Sequence, residues 1–250
     1  MSESLIPSLD GGVLTLTMSR PEARNALDAV TYRALTQAVL AAGGDATVGA
    51  MIVTGAGGHF TAGNDLKDFQ KPLPPAGDAP GIAFLRALAG FGKPLLAAVE
   101  GVAVGIGSTM LLHCDFAWAG EGARFRMPFV PLGLVPEGAS TLLLPRLAGW
   151  KRAADLLLLG REFTAAEALQ AGLLTGVTAT GGALVRAREA AAQIQALPPE
   201  ALRATKALLR RPDRAAVQEA INLEMAEFRR RLPSPEAQAA FAAFFARRGK

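Results

Sequence analysis

The stretch AMIVTGAGGHFTAGNDLK, Ala50 to Lys67, decides how the rest of the chain is read. Ala50 to Thr54 form a short continuous apolar run, the pattern of a strand buried on both faces. Glycine then recurs at 55, 57, 58 and 63 before the stretch ends in Asn64-Asp65-Leu66-Lys67. A glycine-rich loop after a buried strand lets the backbone approach a ligand and aim its N–H groups at it. A plain turn has the same composition, and a phosphate loop is excluded because no Gly-Lys-Ser/Thr closes this one. The unit then repeats. Leu95 to Val99 read as a second buried strand, and Gly101 to Thr109 as a second glycine-rich turn feeding an apolar helix to about His113. A dinucleotide fingerprint would need glycine where Met110 stands, and Ser108 lacks the flanking glycines of a nucleophile elbow.

Working outward, Leu5-Ile6 and Val13 to Leu16 flank Asp10-Gly11-Gly12, which reads as strand, tight turn and strand. Arg20 to Leu27 form a loop, and Asp28 caps a helix whose apolar positions are Val30, Leu35, Val39 and Leu40. Residues 71–81 (KPLPPAGDAPG) read as a surface loop near the first glycine loop, followed by a helix through Ile82, Phe84, Leu85 and Leu88. Phe116 to Ala119 is a third strand. From Lys151 onward the pattern is almost entirely helical, broken at glycines and prolines. Strand–loop–helix units followed by a helical tail predict an α/β fold, with no linker separating two cores. Phe241, Phe244 and Phe245 recur at helical spacing, so the last helix is expected to pack against the body or a neighbouring subunit.

Between the repeats and the tail, Ala123 to Gly149 present one carboxylate, Glu137, between a proline-punctuated apolar segment and an apolar helix. Apolar walls raise a carboxyl pKa and the dipole of a following helix lowers it, so a base there could work near neutral pH. A first-turn helix charge is the plainer reading. His113, among leucines, reads as a packed core histidine with no ligand spacing to His59, and no metal site is expected.

The 250 residues carry 50% hydrophobic and 19% charged side chains, a globular composition. The net charge is +4, with a pI near 9.6 and arginine pairs late in the chain. Aromatic residues are too sparse for a nucleic-acid platform, whereas anionic small molecules suit a mild positive field. A single cysteine, Cys114, leaves no intrachain disulfide. With no signal-peptide pattern and no apolar run of spanning length, no membrane partner is expected and a cytoplasmic location is.

Four motifs in order, Arg20-Pro21…Asn25-Ala26-Leu27, Ala62-Gly63-Asn64-Asp65-Leu66, Gly101…Gly105-Ile106-Gly107 and Pro136-Glu137-Gly138, make the chain resemble the crotonase superfamily, the enoyl-CoA hydratase/isomerase family. The resemblance covers roughly the whole length. It implies a spiral of ββα turns over residues 1–195 carrying an acyl-CoA site. A helical C-terminal trimerisation region, 196–250, would belong to the same structural unit, in a homotrimer or dimer of trimers. It further implies an oxyanion hole from the backbone N–H groups of Asn64 and Ile106, both following glycine turns. One such donor is typically worth about 3–4 kcal/mol of barrier. Coenzyme A would lie against Ala62, Gly63, Asn64, Asp65, Leu66 and Lys67, with Arg24, Lys67 and Lys206 near its phosphates. It would be part of an acyl-CoA thioester substrate, with no separate cofactor.

Hydratases of the family carry two glutamates, and the matching positions here hold Thr109 and Phe129. Hydration needs one group to activate water and another to deliver a proton. Glu137 instead resembles the glutamate of the Δ3,Δ2-enoyl-CoA isomerases, and the Gly-Asn-Asp-Leu loop with Phe69 resembles their peroxisomal branch. The resemblance thus implies a shift of the 3-ene of an enoyl-CoA to the 2-position by a single-carboxylate proton shuttle. Ring isomerisation of an aromatic-derived CoA ester and weak hydration are the enzymatic alternatives. An RNA-binding or scaffolding homologue is the alternative outside catalysis. Asp65 and Glu100 stand in reserve as bases.

Overall fold

The structure, a computed structural model, describes residues 4–70 and 79–248. Most of the loop read over residues 71–81 lies outside them. The described strands are β1 (Leu5–Asp10), β2 (Val13–Met18), β3 (Ala50–Gly55), β4 (Leu95–Val99), β5 (Val102–Val104), β6 (Phe116–Gly120), β7 (Arg124–Arg126), β8 (Glu162–Thr164) and β9 (Gly176–Thr178). The helices are α1 (Ala29–Gly44), α2 (Pro80–Gly90), α3 (Ile106–Thr109), α4 (Ser140–Ala148), α5 (Trp150–Leu158), α6 (Ala165–Gln170), α7 (Ala183–Gln195), α8 (Pro199–Arg210), α9 (Arg214–Arg231) and α10 (Pro235–Arg248).

A six-stranded sheet has the order β1-β2-β3-β4-β6-β9, antiparallel at β1/β2 and parallel elsewhere. A three-stranded sheet, β5-β7-β8, stands beside it. Successive strands alternate between the two: β4 lies in the large sheet and β5 in the small one, then β6 in the large and β7 in the small. That alternation makes the chain a spiral of repeated α/β turns with helices at its C-terminal end.

The apolar runs are explained by burial on both faces. Met51, Val53, Leu95, Ala97 and Val99 join the main core, in which α1 and α2 bury their inner faces. Ala50, Ile52, Leu96, Ala98 and Trp118 meet the small side chains of α7 on the other face. Cross-strand register at Asp10↔Val13 leaves Gly11-Gly12 as a two-residue turn, both glycines at positive φ as a right-twisted hairpin requires. Asp28 caps α1 by accepting from the Thr31 backbone N–H at 2.8 Å.

Several expectations are corrected. The buried stripe of α1 is Tyr32, Leu35, Val39 and Ala42; Val30 and Leu40 face outward, because the three- and four-residue steps of one helix face run through 32, 35, 39 and 42 and miss both. The segment after Lys151 is not all helix: β8 and β9 complete the edges of the two sheets. The apolar helix expected as far as His113 is the single turn α3 followed by a 3₁₀ turn, Met110–His113.

The C-terminal helices share the main core. Ile221, Phe228, Leu232, Ala237 and Phe241 belong to the same buried cluster as Leu16 and Met51. Phe69 contacts Phe228 and Phe241, with ring centroids 5.7 and 5.9 Å apart, so the last helix packs against the body of its own chain. Among the described residues, no helix is long and apolar enough to cross a membrane.

Candidate active site

The site begins where the two glycine turns meet. Thr61 pairs with Ala103 in a parallel bridge, its N–H donating to the Val102 carbonyl and its own carbonyl accepting from Val104 N–H. A second bridge, Leu27 with Asn64, ties the first turn to the Arg20–Leu27 loop. That loop is pinned from within: the Asn25 side-chain amide donates to the carbonyls of Ala56 and His59 at 2.8 and 2.7 Å. The turns approach so closely that only glycine fits at two points. A Cβ on Gly63, at φ +83°, would strike the Val104 carbonyl oxygen, and one on Gly107 would stand 2.7 Å from the Thr61 methyl.

This packing leaves two N–H groups for a ligand. The Leu27–Asn64 bridge uses the carbonyl of Gly63 and the N–H of Asp65, passing over Asn64 N–H. Ile106 is the first residue of α3, where an N–H has no partner within its own helix. Neither N–H finds an acceptor among the described residues. Ile106 itself is fully buried, so its backbone, not its side chain, is the functional part.

Two cavities meet at Asn64. The larger, about 630 Å³, is lined by Ala62 to Lys67, by Val104 and Gly105 of the second turn, and by Phe129, Phe244 and Phe245. The smaller, about 270 Å³, is mostly apolar and is lined by Leu27, Tyr32, Asn64, Phe69, Glu137 and Phe228. Of the expected site residues, the structure therefore gathers Ala62, Gly63, Asn64, Asp65, Leu66, Lys67, Glu137 and the Ile106 turn. Two cations are not gathered. The Arg24 side chain is exposed and does not line either cavity, whereas Arg20 lines the larger one beside Asp65. Lys206 is buried elsewhere, donating to the Lys93 carbonyl at 2.5 Å and to Asp115 at 2.6 Å, beside a third cavity next to His113. For Lys206 the cause is that a lysine in a sequence shows its charge but not the carboxylate or carbonyl that claims it. The reserve bases are also committed. Asp65 pairs with Arg20, and Glu100 accepts from the N–H of Ala183 at the start of α7.

Glu137 is 5% exposed, and burial pushes its carboxyl up to about 8. The Thr109 hydroxyl, donating to Oε1 at 2.6 Å, pulls it down, and the Glu224 carboxylate pushes it further up. The opposing pull expected from the dipole of the next helix is not the one found. Ala139, in the left-handed region at φ +58°, separates Glu137 from α4. The free N–H groups at that junction go to Glu224, which accepts from Ala139 and Thr141 N–H at 2.6 and 2.9 Å and from the Thr141 hydroxyl at 2.5 Å. Glu137 is thus neither a helix-start charge nor a cap.

No sequence signal marks Glu224, Thr109 or Tyr32 as part of this site. Thr109 is read from the sequence as a missing glutamate, yet its hydroxyl is the hydrogen-bond partner of Glu137. The Tyr32 hydroxyl, also in the smaller cavity, donates to the Asn64 side-chain carbonyl at 2.6 Å; burial and the charge of Glu137 hold its phenol well above the usual range. His113 is the core histidine expected, held near 4 by burial. Its Nε2 lies 2.8 Å from the Gly138 carbonyl, which can only accept, so Nε2 carries the proton.

A buried carboxyl with a pKa near neutrality, in an apolar cavity beside two free backbone donors, can move a proton next to a carbonyl whose oxygen becomes negative. Comparison with known proteins agrees. Residues 8–250 match the family described as Enoyl-CoA hydratase/isomerase. A 2,3-dehydroadipyl-CoA hydratase of Escherichia coli K12 is 37% identical over 219 residues, covering 87% of this chain and 86% of that protein. The enoyl-CoA delta isomerase 2 of Rattus norvegicus is 32% identical over the whole of this chain, which spans 65% of that longer protein. The crystal structure of an enoyl-CoA hydratase/isomerase from Pseudoalteromonas atlantica T6c superposes with a TM-score of 0.93 at 42% identity, covering 98% of this chain and 97% of that one. With the glycine turns, the free donors and the buried glutamate in place on this fold, the chain belongs to the enoyl-CoA hydratase/isomerase family.

Proposed function

We propose that the protein shifts the double bond of a 3-enoyl-CoA to the 2-position, with Glu137 as the only proton carrier. The thioester carbonyl would sit between the N–H groups of Asn64 and Ile106. The Glu137 carboxylate takes a proton from C2, the electron pair moves into a dienolate whose negative oxygen the two donors hold, and the same carboxyl returns the proton to C4. Conjugation of the new double bond with the thioester provides the driving force. The acyl chain occupies the smaller, apolar cavity, and coenzyme A runs into the larger one past Lys67 and Arg20. No further cofactor and no metal take part in this scheme, and the homotrimer or dimer of trimers belongs to the same reading.

The observation that carries it is that Glu137 is the one buried carboxyl lining the smaller cavity, where Asp65 is paired with Arg20 and Asp68 accepts from the Ala29 N–H, and that its own partner is a threonine hydroxyl at 2.6 Å. A shuttle between two carbons of one substrate needs one carboxyl. Addition of water needs two groups, and the residue that faces Glu137 is Thr109. The hydratase reading, which the E. coli relative favours, would have to find its second group in a threonine hydroxyl.

Replacing Glu137 by glutamine tests the scheme, because it preserves shape and removes the basic oxygen. Turnover of 3-hexenoyl-CoA should fall by about a hundredfold or more while the affinity for hexanoyl-CoA stays near that of the parent. Label at C2 of a deuterated substrate should exchange in the parent and persist in the variant. Full isomerase activity in a folded Glu137→Gln protein refutes the assignment, and crotonyl-CoA hydration faster than isomerisation in the parent refutes the reaction class.

A further inference from the structure

Glu224 is a buried carboxylate in the middle of α9, 85 residues away in sequence from the junction it touches. It lines neither cavity at Asn64. What it does instead is collect the N–H groups of Ala139 and Thr141 and the hydroxyl of Thr141. Gly138 and Ala139 both adopt positive φ, and a non-glycine residue in that region persists only where its surroundings hold it. His113 donates to the Gly138 carbonyl through Nε2. The backbone immediately after Glu137 is therefore clamped twice, once by a neutral imidazole from the body and once by a carboxylate from the C-terminal helices.

We propose that Glu224 is a positioning residue for Glu137, fixing through the backbone of residues 138–141 where the catalytic carboxyl stands in the acyl cavity. The inference rests on Glu137 being the proton carrier. It also gives the C-terminal helical region a part in catalysis besides packing: α9 supplies the clamp and, through Met225 and Phe228, part of the cavity wall. The ionisable groups that face this junction are few. Glu137 itself, Tyr32 of α1 and His113 surround it. Arg86 of α2 meets α9 at Asn222, and Arg146 of α4 is paired with Asp213. None of the ion pairs among the described residues engages the Glu224 carboxylate, so its partners are the three neutral donors.

The test is Glu224→Gln, which keeps the length of the side chain but loses the charge and one acceptor. Removing a neighbouring negative charge eases ionisation of Glu137, and loosening the clamp misplaces its carboxyl. With 3-hexenoyl-CoA as substrate, kcat should fall about tenfold, KM and the Kd for hexanoyl-CoA should stay within about twofold, and the acid limb of the pH profile should move to lower pH. A residue serving only to hold the fold would lower the melting temperature and leave kcat at the pH optimum of the surviving enzyme unmoved. Thr141→Val, which deletes only the hydroxyl donor, should give a smaller change in the same direction and carries the test if the glutamine variant does not fold. Parental kcat at the pH optimum in either folded variant overturns the inference. The two failures separate cleanly: full activity of Glu137→Gln removes the proton carrier itself, whereas an inactive Glu137→Gln beside an unaffected Glu224→Gln removes only the clamp.

Discussion

Thr109→Val isolates the one hydrogen bond that favours ionised Glu137. Valine matches threonine in shape, so the buried cavity wall is kept and only the hydroxyl donating to Glu137 Oε1 at 2.6 Å is lost. A hydrogen bond to a charged group contributes about 1.5–3 kcal/mol, and each pKa unit corresponds to about 1.4 kcal/mol, so the carboxyl should rise by about one to two units. Starting from about 8, roughly one Glu137 in ten is ionised at pH 7 in the parent. In the variant roughly one in a hundred to one in a thousand would be. The measurement is kcat/KM for 3-hexenoyl-CoA from pH 6 to 10. At pH 7 it should fall by about ten- to a hundredfold, with the acid limb displaced to higher pH and the deficit shrinking as pH rises. Thr109→Ser, which keeps the hydroxyl, should restore most of the limb. A uniform loss at every pH, or a limb that stays in place, refutes the idea that this hydroxyl tunes the base.

Stability should report the same carboxyl independently. The folded pKa, about 8, lies above the ordinary 4.5, so between those values the folded state holds a proton that the unfolded chain releases. Folding stability from this group is therefore complete below about pH 4.5 and is lost as pH rises through 8, with a ceiling of about 5 kcal/mol. Denaturant melts should find Glu137→Gln gaining on the parent steadily over that window, and parallel pH curves would contradict it. Phe241→Ala should cost about 3–5 kcal/mol in the same assay, because it removes a buried ring packed against Phe69, and a neutral result would mean that α10 does not pack there. Lys206→Ala should leave affinity for hexanoyl-CoA unchanged while lowering stability, whereas a loss of affinity alone would return Lys206 to the coenzyme. Sedimentation of the full chain should give a trimer or a hexamer, since α5 and α8 expose Leu158, Leu208 and Leu209, each more than 60% accessible, and a monomer would contradict the expected assembly.

What could be read from the sequence depended on how local the physics is. The Gly63-Asn64 and Gly105-Ile106 turns were legible because a left-handed backbone and a close approach select glycine within a few residues. The strands Ala50–Gly55 and Leu95–Val99 were legible because burial on both faces makes an unbroken apolar run. The three-residue strands of the small sheet were not. Arg124-Phe125-Arg126 offers one apolar residue, and three residues are too few for any period to show. Thr109, Tyr32 and Glu224 escaped for another reason. Each acts on a residue 28 or more positions away, and no spacing rule links a threonine after a glycine turn to a glutamate beyond the next two strands.

The two buried glutamates show why one site can hold both without becoming a dyad. Both have carboxyls raised by burial, and Glu224 adds to the cost of charging Glu137, yet their hydrogen-bond supplies differ. Glu224 receives two amides and a hydroxyl, all of which favour its charged form. Glu137 receives one hydroxyl and otherwise faces an apolar cavity. Donors aimed at a carboxylate fix it in place as surely as they stabilise its charge, so Glu224 is held at the junction and away from the substrate. On the proposed scheme, the carboxyl left with fewer partners is the one that exchanges its proton with carbon. A water molecule added across a double bond would need a second such group, and Glu224, which lines neither cavity, is occupied with the backbone of residues 139–141.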